Sequence, residues 1–248
     1  MLKNRIFQFL LLYLFFLVFL FLIKNIFGLS DYIIPSLSNI WQRAQDIYLY
    51  YLFDTKETFI IAVIGHIVSI IMAVIVASIG RIKTVIGSFI KACAYNIQAY
   101  PIVALAPIIF ILLGDGYISR LLIASMICYF PLLLTFIGIF TEPVEDIEHF
   151  FNTTNKNNFI LETKIRAFEN INKIKTVIEG SATLAVVGTI VAEFISSQEG
   201  IGHSISIALS QSDLSKVLIA LFMIGIFTSI YLLFLEYTSY LLMKHLKY

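Results

Sequence analysis

The feature that most constrains the fold is a run of 18 residues, 6–23, that contains no charged side chain. Five further apolar stretches follow. Over the whole chain, 59% of the residues are hydrophobic and only 13% are charged. A helix crosses a bilayer core about 30 Å thick with roughly 20 apolar residues. A water-soluble fold with so few charged residues would lack the polar surface that covers a core. The sequence therefore predicts an all-α integral membrane protein.

Six membrane spans are predicted from the apolar runs. They lie near residues 6–23, 58–79, 97–113, 118–140, 177–196 and 217–236. An even number of spans puts both termini on the same side of the membrane. Twelve of the 17 Lys and Arg residues fall on that side and five on the other. By the positive-inside rule, both termini are therefore predicted to be cytoplasmic.

The chain is predicted to be one polytopic unit with four consecutive parts. Residues 1–30 are expected to form a retained N-terminal membrane anchor helix, because their apolar run exceeds the roughly 7 to 15 residues of a signal-peptide core. An external or interfacial segment follows at 31–57, where tryptophan and tyrosines suit a short helix at headgroup level. The membrane core occupies 58–243, with a cytoplasmic loop at about 142–176, and 244–248 form a cytoplasmic tail.

The third span contains two prolines, Pro101 and Pro107. Each removes a backbone donor and strains the preceding turn, and such defects persist in lipid only where protein or water satisfies the freed carbonyls. We therefore expect this helix to be central. It either lines a path or gate through the membrane or is an ordinary proline-kinked structural helix.

A polar, charged island at 151–170 interrupts the apolar sequence. Apolar residues on both sides of its Asn- and Thr-rich centre, 152–158, recur at intervals of three and four, which predicts two amphipathic helices joined by a turn. These residues are Val144, Ile147, Phe150 and Phe151, then Leu161, Ile165, Phe168, Ile171, Ile174 and Ile178. Such a long connection is usually functional or disordered. The helix pair either inserts its phenylalanine-bearing bend into a partner protein or rests on the inner leaflet.

Two ionisable residues fall inside predicted spans. Glu193 lies in or at the outer end of the fifth span, where a carboxylate is costly and should face the bundle interior or water. It either lines the outer part of a path or bonds to a neighbouring helix, and the structural use is favoured. His66 is isolated in an apolar span, where packing or a bond between helices is the default. In the outer loop that follows Glu193, Gly200 and Gly202 permit a sharp return toward the membrane.

The sequence contains no recognisable catalytic, nucleotide-binding or metal-binding motif. No G-x-x-x-x-G-K-[ST] pattern occurs, so the chain is not predicted to cradle ATP phosphates itself. The two cysteines, Cys93 and Cys128, have neither metal-ligand nor disulfide spacing. The chain is therefore predicted not to be an enzyme and to bind no cofactor or metal, and no basic cluster points to nucleic acid.

Four segments occur in a characteristic order: IPSLSNIW at 34–41, YPIVALAPIIFILLGDG at 100–116, CYFPLLLTFIGI at 128–139 and GTIVAEFISSQEGIGHSI at 188–205. Together they resemble the permease subunit of bacterial ABC importers of the nitrate/sulfonate/taurine type, over nearly the whole chain after about residue 30. The resemblance implies a multi-pass protein of the bacterial cytoplasmic membrane that forms the translocation path of an ATP-driven importer. In these terms, 58–243 is the permease core.

The resemblance also implies the partners and the solute. The partners are a second permease copy, two ABC ATPase subunits that hold the ATP, a periplasmic or lipid-anchored substrate-binding protein and membrane lipid. The solute is a small polar molecule of the oxyanion, sulfonate or vitamin-precursor type. A secondary transporter or channel that works without an ATPase is the alternative, but it usually brings intramembrane ionisable relays or matched repeats, of which one membrane carboxylate and no repeat are found here.

The loop at 144–166 corresponds, by the same resemblance, to the segment that carries the coupling helix into a cleft of the ATPase. Its predicted contact residues are Glu148, Phe150, Phe151, Asn152, Asn155, Lys156 and Phe159. The two adjacent phenylalanines stand where the family has alanines, and Ala167–Phe168 stand at its Leu-Pro pair. Asn155 replaces the family's glycine, and asparagine can adopt the same left-handed turn conformation.

Overall fold

The computed structural model describes residues 3–82, 85–98, 102–142 and 159–246. Within those ranges the structure is entirely helical, which confirms the predicted all-α class. The helices are α1 (Lys3–Phe27), α2 (Leu37–Gly80), α3 (Val85–Gln98), α4 (Ile102–Leu113), α5 (Tyr117–Thr141), α6 (Phe159–Glu169), α7 (Ile171–Ser196), α8 (Ile201–Ser210) and α9 (Leu214–Leu246). Five of them, α1, α2, α5, α7 and α9, are long and apolar enough to cross a membrane.

Helix α2 is longer than the sequence analysis predicts. It has 44 residues, which corresponds to about 66 Å at 1.5 Å per residue. Its start is capped by Ser36, whose side chain accepts a hydrogen bond from the Asn39 backbone N–H at 3.4 Å. The separate interfacial helix expected within 31–57 is instead the first half of α2. The charged residues at 54–57 interrupt the apolar pattern but not the helix, since none of them is a helix breaker.

The predicted third span, 97–113, contains the last two residues of α3 and all of α4. The 12 residues of α4 measure about 18 Å, less than the thickness of a bilayer core, and α3 precedes them. Pro107 lies inside α4, whereas Pro101 lies outside the described residues. One face of α4 packs on α5 and α7, but Ile111 and Leu112 are 82% and 75% exposed. Within a single chain, α4 is therefore at the edge of the bundle and not central.

The first part of the polar island, 151–158, and the preceding residues 143–150 also lie outside the described residues, and with them every predicted coupling residue except Phe159. The second predicted amphipathic helix is two helices, because α6 ends at Glu169 and α7 begins at Ile171. Both the backbone N–H and the side-chain amide of Asn170 donate to the Arg166 carbonyl, at 3.1 and 3.0 Å. The island's second half is thus joined through this one-residue break directly to the fifth span.

The centre of the bundle is formed by α2, α5 and α7. Bulky side chains of α5, chiefly Phe136 and Phe140, pack against small residues such as Ala77 of α2 and Ala185 of α7. Helix α1 lies outside this centre and packs on α9. The Tyr13 hydroxyl of α1 donates to the Leu218 carbonyl at 3.0 Å.

Candidate functional site

Two clusters of charged and polar side chains stand out from the apolar bundle. The outer cluster comprises Asp115, Thr58, Glu57, Arg120, Glu193, Glu199, Gly200 and Gly202. The cytoplasmic cluster comprises Arg81, Glu142, Phe159, Glu162 and Arg166. Each is named for the side on which the predicted topology puts it.

The centre of the outer cluster is Glu193, whose side chain is completely buried near the end of α7. The Thr58 hydroxyl of α2 lies 2.9 and 2.7 Å from its two carboxylate oxygens and donates to them. The Gly202 backbone N–H, in the first turn of α8, donates to Oε2 at 3.0 Å. Thr58 Oγ1 in turn accepts from the Ile201 N–H at 3.0 Å. Glu193 thus joins α2, α7 and α8, and we call this arrangement the cradle.

The two glycines of the outer loop are required by the close approach of this backbone to Glu193. Gly200 has φ of +91°, a conformation that side chains rarely adopt. A Cβ atom on Gly200 would lie 2.3 Å from the Glu193 carboxylate carbon, and one on Gly202 would lie 2.3 Å from the Ile190 carbonyl oxygen. No side chain larger than glycine fits at either position without displacing the chain.

Arg120, in the first turn of α5, is the cation of the outer cluster, and its side chain is 3% exposed. Its Nη2 lies 2.9 Å from a carboxylate oxygen of Glu57 on α2 and 2.8 Å from one of Glu199 in the outer loop. Its Nη1 lies 3.8 Å from Glu193 Oε1. Nε and Nη1 have no hydrogen-bond partner. A second contact runs parallel to these ion pairs, since the Gln198 N–H donates to Asp115 at 2.9 Å.

His66 belongs to a separate buried network that joins three helices. Its Nε2 lies 2.8 Å from Ser181 Oγ of α7, and its Nδ1 lies 2.6 Å from the Tyr231 hydroxyl of α9. Ser181 Oγ also lies 3.0 Å from the Ile178 carbonyl, to which it can donate. A neutral imidazole has one N–H and one bare nitrogen, so one of the two hydroxyls accepts from the ring and the other donates to it. This satisfied network is a helix-to-helix tie, in accord with the default expected for this histidine.

The cytoplasmic cluster is built around Glu162 of α6. Both carboxylate oxygens accept from Arg81, the residue after α2, at 2.9 Å each. Arg166, one turn further along α6, donates to Glu162 at 3.0 Å and also bonds the Glu142 carbonyl at the end of α5. Helix α6 is therefore held to the cytoplasmic ends of α2 and α5 at once.

Electrostatics and an aromatic contact reinforce this attachment. The hydrogen bond from the Arg81 guanidinium lowers the pKa of the Glu162 carboxyl below its ordinary value, with Arg166 adding to the effect. The Arg81 guanidinium also lies 4.6 Å from the centre of the Phe159 ring, which is a cation–π distance. The Arg81 side chain is only 7% exposed, so these contacts are partly shielded from water and salt.

The predicted site residues are thus only partly brought together. Glu193, Gly200 and Gly202 form one arrangement, while Pro107 lies apart on α4 and Phe159 lies in the cytoplasmic cluster. Sequence reasoning missed Arg120, Thr58, Arg81 and Glu162. A usable signal existed for Arg120, because a single arginine at the start of an apolar span needs an acidic partner, and Glu193 was already identified.

Neither cluster has the composition of a metal site. Within the described ranges, no group of three or more His, Cys, Asp or Glu side chains could hold a metal ion. Cys93 and Cys128 are both free thiols. The contacts that the two clusters do make are charge-assisted hydrogen bonds and ion pairs that attach helices to one another.

Comparison with known proteins gives one informative similarity. The riboflavin transport system permease protein RibX of Chloroflexus aurantiacus (strain ATCC 29366 / DSM 635 / J-10-fl) is 30% identical to this chain over 132 residues. Those residues are 53% of this chain and 49% of that protein, so the match spans about half the length of each. No protein-family model matches the chain. Over these 132 residues, the chain is similar to the membrane permease of a solute transport system.

Proposed function

We propose that this chain is the membrane-spanning permease subunit of an ATP-driven importer. It forms the translocation path with a second copy of itself and works with separate ABC ATPase subunits and an external substrate-binding protein. The partial similarity to a riboflavin transport permease and the five long apolar helices support this proposal. The proposed location is the cytoplasmic membrane of a bacterium.

The observation that carries the mechanism is the attachment of α6. This helix begins at Phe159, the last of the predicted ATPase-contact residues, and Glu162 and Arg166 bind it to the ends of α2 and α5. After the single break at Asn170, α7 continues into the membrane. A displacement of the cytoplasmic loop would therefore be passed to three membrane helices together.

The mechanism that we propose is alternating access. Closure of two ATPase subunits on ATP would push the 144–166 loop, and α6 would transmit the movement to α2, α5 and α7. Bistable packing of a bundle against its copy turns such small shifts into the opening of one side and the closing of the other. Energy then comes from the partner and not from this chain.

The solute class is proposed to be small and polar, and riboflavin is the first compound to test because the similar permease belongs to a riboflavin transport system. Oxyanions and sulfonates are the second group to test. In the described spans, the one deeply buried cation of the outer cluster, Arg120, is already bonded to carboxylates. This engagement disfavours a dedicated anion site there.

The test uses Phe151→Asp and Asn155→Pro in the complete importer. Both substitutions should leave membrane insertion intact and abolish solute uptake while ATP hydrolysis continues, because the loop no longer transmits the movement. Glu169→Gln, at the end of α6 and outside the predicted contact set, is the control and should transport normally. Unchanged uptake in both loop variants would contradict the coupling role.

A further inference from the structure

The outer cluster contains two sets of bonds that differ in how easily they can be broken. The first set, the cradle, lies wholly within α2, α7 and α8 and includes Glu193 and Thr58, which are both fully buried. The second set joins those helices to the α4–α5 turn and the first turn of α5, through Arg120 and Asp115. The cradle therefore holds α2, α7 and α8 together as one body. The second set of bonds connects this body to the outer end of α5 and the α4–α5 turn, which form the other body.

The bonds between the two bodies are the weaker ones. The carboxylate partners of Arg120 are well hydrated, since the Glu57 and Glu199 side chains are 40% and 64% exposed. The Arg120 side chain is itself only 3% exposed and also lies 3.8 Å from Glu193, so these ion pairs are open to water and salt from the carboxylate side alone. Breaking them leaves both carboxylates in water, whereas breaking the cradle would leave a buried carboxylate and a buried N–H without partners.

A fixed contact lies just below these exchangeable bonds. The Ser69 hydroxyl of α2 shares its proton between the Gly65 carbonyl of its own helix at 2.7 Å and the Ser125 carbonyl of α5 at 2.8 Å. A Cβ atom on the neighbouring Gly65 would lie 3.2 Å from Ala124 Cβ, so the two helices are in close contact there. Arg120 is five residues from Ser125, or about 7.5 Å along the helix. The outer end of α5 can therefore separate from α2 while this contact holds.

We propose that Arg120, together with Glu57, Glu199 and the Asp115–Gln198 bond, is an ionic latch that closes the outer end of the bundle. The latch opens by releasing Glu57 and Glu199 while the Glu193 cradle stays intact. Two donors of Arg120, Nε and Nη1, have no hydrogen-bond partner in the closed latch, so its hydrogen-bonding capacity is not fully used there. The use of this latch as the outer gate rests on the proposed transport function, whereas its existence rests on the described contacts.

The test measures access to a thiol placed behind the latch. Ser119, next to Arg120, is 1% exposed, and Ser119→Cys in a chain with Cys93→Ala and Cys128→Ala gives a single reporter. The full chain in lipid nanodiscs is treated with a charged, membrane-impermeant maleimide. Arg120→Gln should raise the labelling rate about tenfold, because local opening becomes more frequent, and Glu199→Gln should raise it in the same direction.

Matched variants separate a latch from general loosening. Arg120→Lys keeps the charge and should retain most of the protection. Arg43→Gln breaks the ion pair between Arg43 and Asp213 (3.4 Å), also near the predicted outer surface but away from Arg120, and should leave labelling unchanged. High salt should accelerate labelling of the parent chain but not of the Arg120→Gln chain. Equal labelling of the parent, Arg120→Gln and Glu199→Gln chains, or equal acceleration by Arg43→Gln, would overturn the latch.

A second measurement tests separately whether the latch acts as a gate during transport. In a complex captured with its ATPase, trapping with a nucleotide analogue should change the Ser119→Cys labelling rate of the parent. An unchanged labelling rate in this complex would contradict the use of the latch as a gate, although the ATPase would be established as a partner. Recovery of the chain without any ATPase would contradict the importer proposal but would not change the labelling result in nanodiscs.

Discussion

The outer and cytoplasmic clusters both pair an arginine with a glutamate, yet they are built for different purposes. Glu193 is completely buried and held by a hydroxyl and a backbone N–H at a glycine-rich loop. Glu162 is 27% exposed and binds Arg81 through both carboxylate oxygens on a helix of 11 residues. The comparison indicates that the outer cradle fixes three elements together, while the cytoplasmic cluster attaches a short connecting helix to the ends of two others.

The largest effect is expected from Gly200→Val, which disrupts the outer cluster. The added side chain would collide with the Glu193 carboxylate at a backbone φ of +91°, and we expect a loss of about 3 kcal/mol or more in stability. Thermal unfolding in detergent measures it. Gly116→Ala is the control, because a Cβ there meets nothing within 4 Å. Equal unfolding temperatures for both variants would contradict the close approach.

Glu193→Ala should cost somewhat less, about 1 to 3 kcal/mol, because it leaves the Gly202 N–H buried without an acceptor, whereas the Thr58 hydroxyl can still donate to the Asp54 carbonyl at 3.0 Å. Glu193→Gln should be milder, since its amide oxygen can still accept one of these bonds. Unfolding of the purified chain compares the two. If alanine and glutamine have the same effect, the hydrogen bonds of the cradle are not what stabilises it.

The stability that the cytoplasmic cluster contributes should depend on pH. Because bonding to Arg81 lowers the pKa of Glu162 below its ordinary value of 4.5, its contribution to stability is fully present above pH 4.5. That contribution is lost as the pH falls through the lowered pKa, when the carboxylate takes up a proton. Unfolding measured from pH 6 downward should show this loss in the parent chain. Glu162→Gln should be less stable at pH 6 and show a smaller decline, and an identical decline would contradict the assignment.

Phe159→Ala is expected to have the smallest effect. It removes the cation–π contact with Arg81 at a side chain that is 40% exposed, and such contacts contribute about 0.5 to 1 kcal/mol. Phe168→Ala, also on α6 and 51% exposed, serves as the comparison because Arg81 lies against Phe159. A larger loss in Phe168→Ala than in Phe159→Ala would show that the Arg81 contact contributes nothing.

The sequence was most informative where apolar runs end at charges. The predicted fourth span, 118–140, agrees with α5 to one residue at each end, because Asp115 and Glu142 lie just outside it. The single helix through 37–80 was missed for the opposite reason. Asp54 and Glu57 bind Ser204 and Arg120 within the bundle, and only the tertiary structure supplies those partners.

The candidate site was predictable in its parts but not in its connections. Glu193, Gly200 and Gly202 could be identified because a membrane carboxylate and paired glycines are unusual in themselves. Their contact with Arg120 and Thr58 joins residues far apart in sequence, and no periodicity specifies such a contact. The same holds for Glu162 and Arg81, which are 81 residues apart.

The most direct test of the account is the mass of the intact assembly that a tagged chain brings out of its own gently solubilised membranes. The account predicts two copies of this 28.1 kDa chain together with two ATP-binding subunits. Recovery of the chain without any ATPase, under conditions that keep a known ABC importer assembled, would contradict it and favour a transporter or channel that works alone.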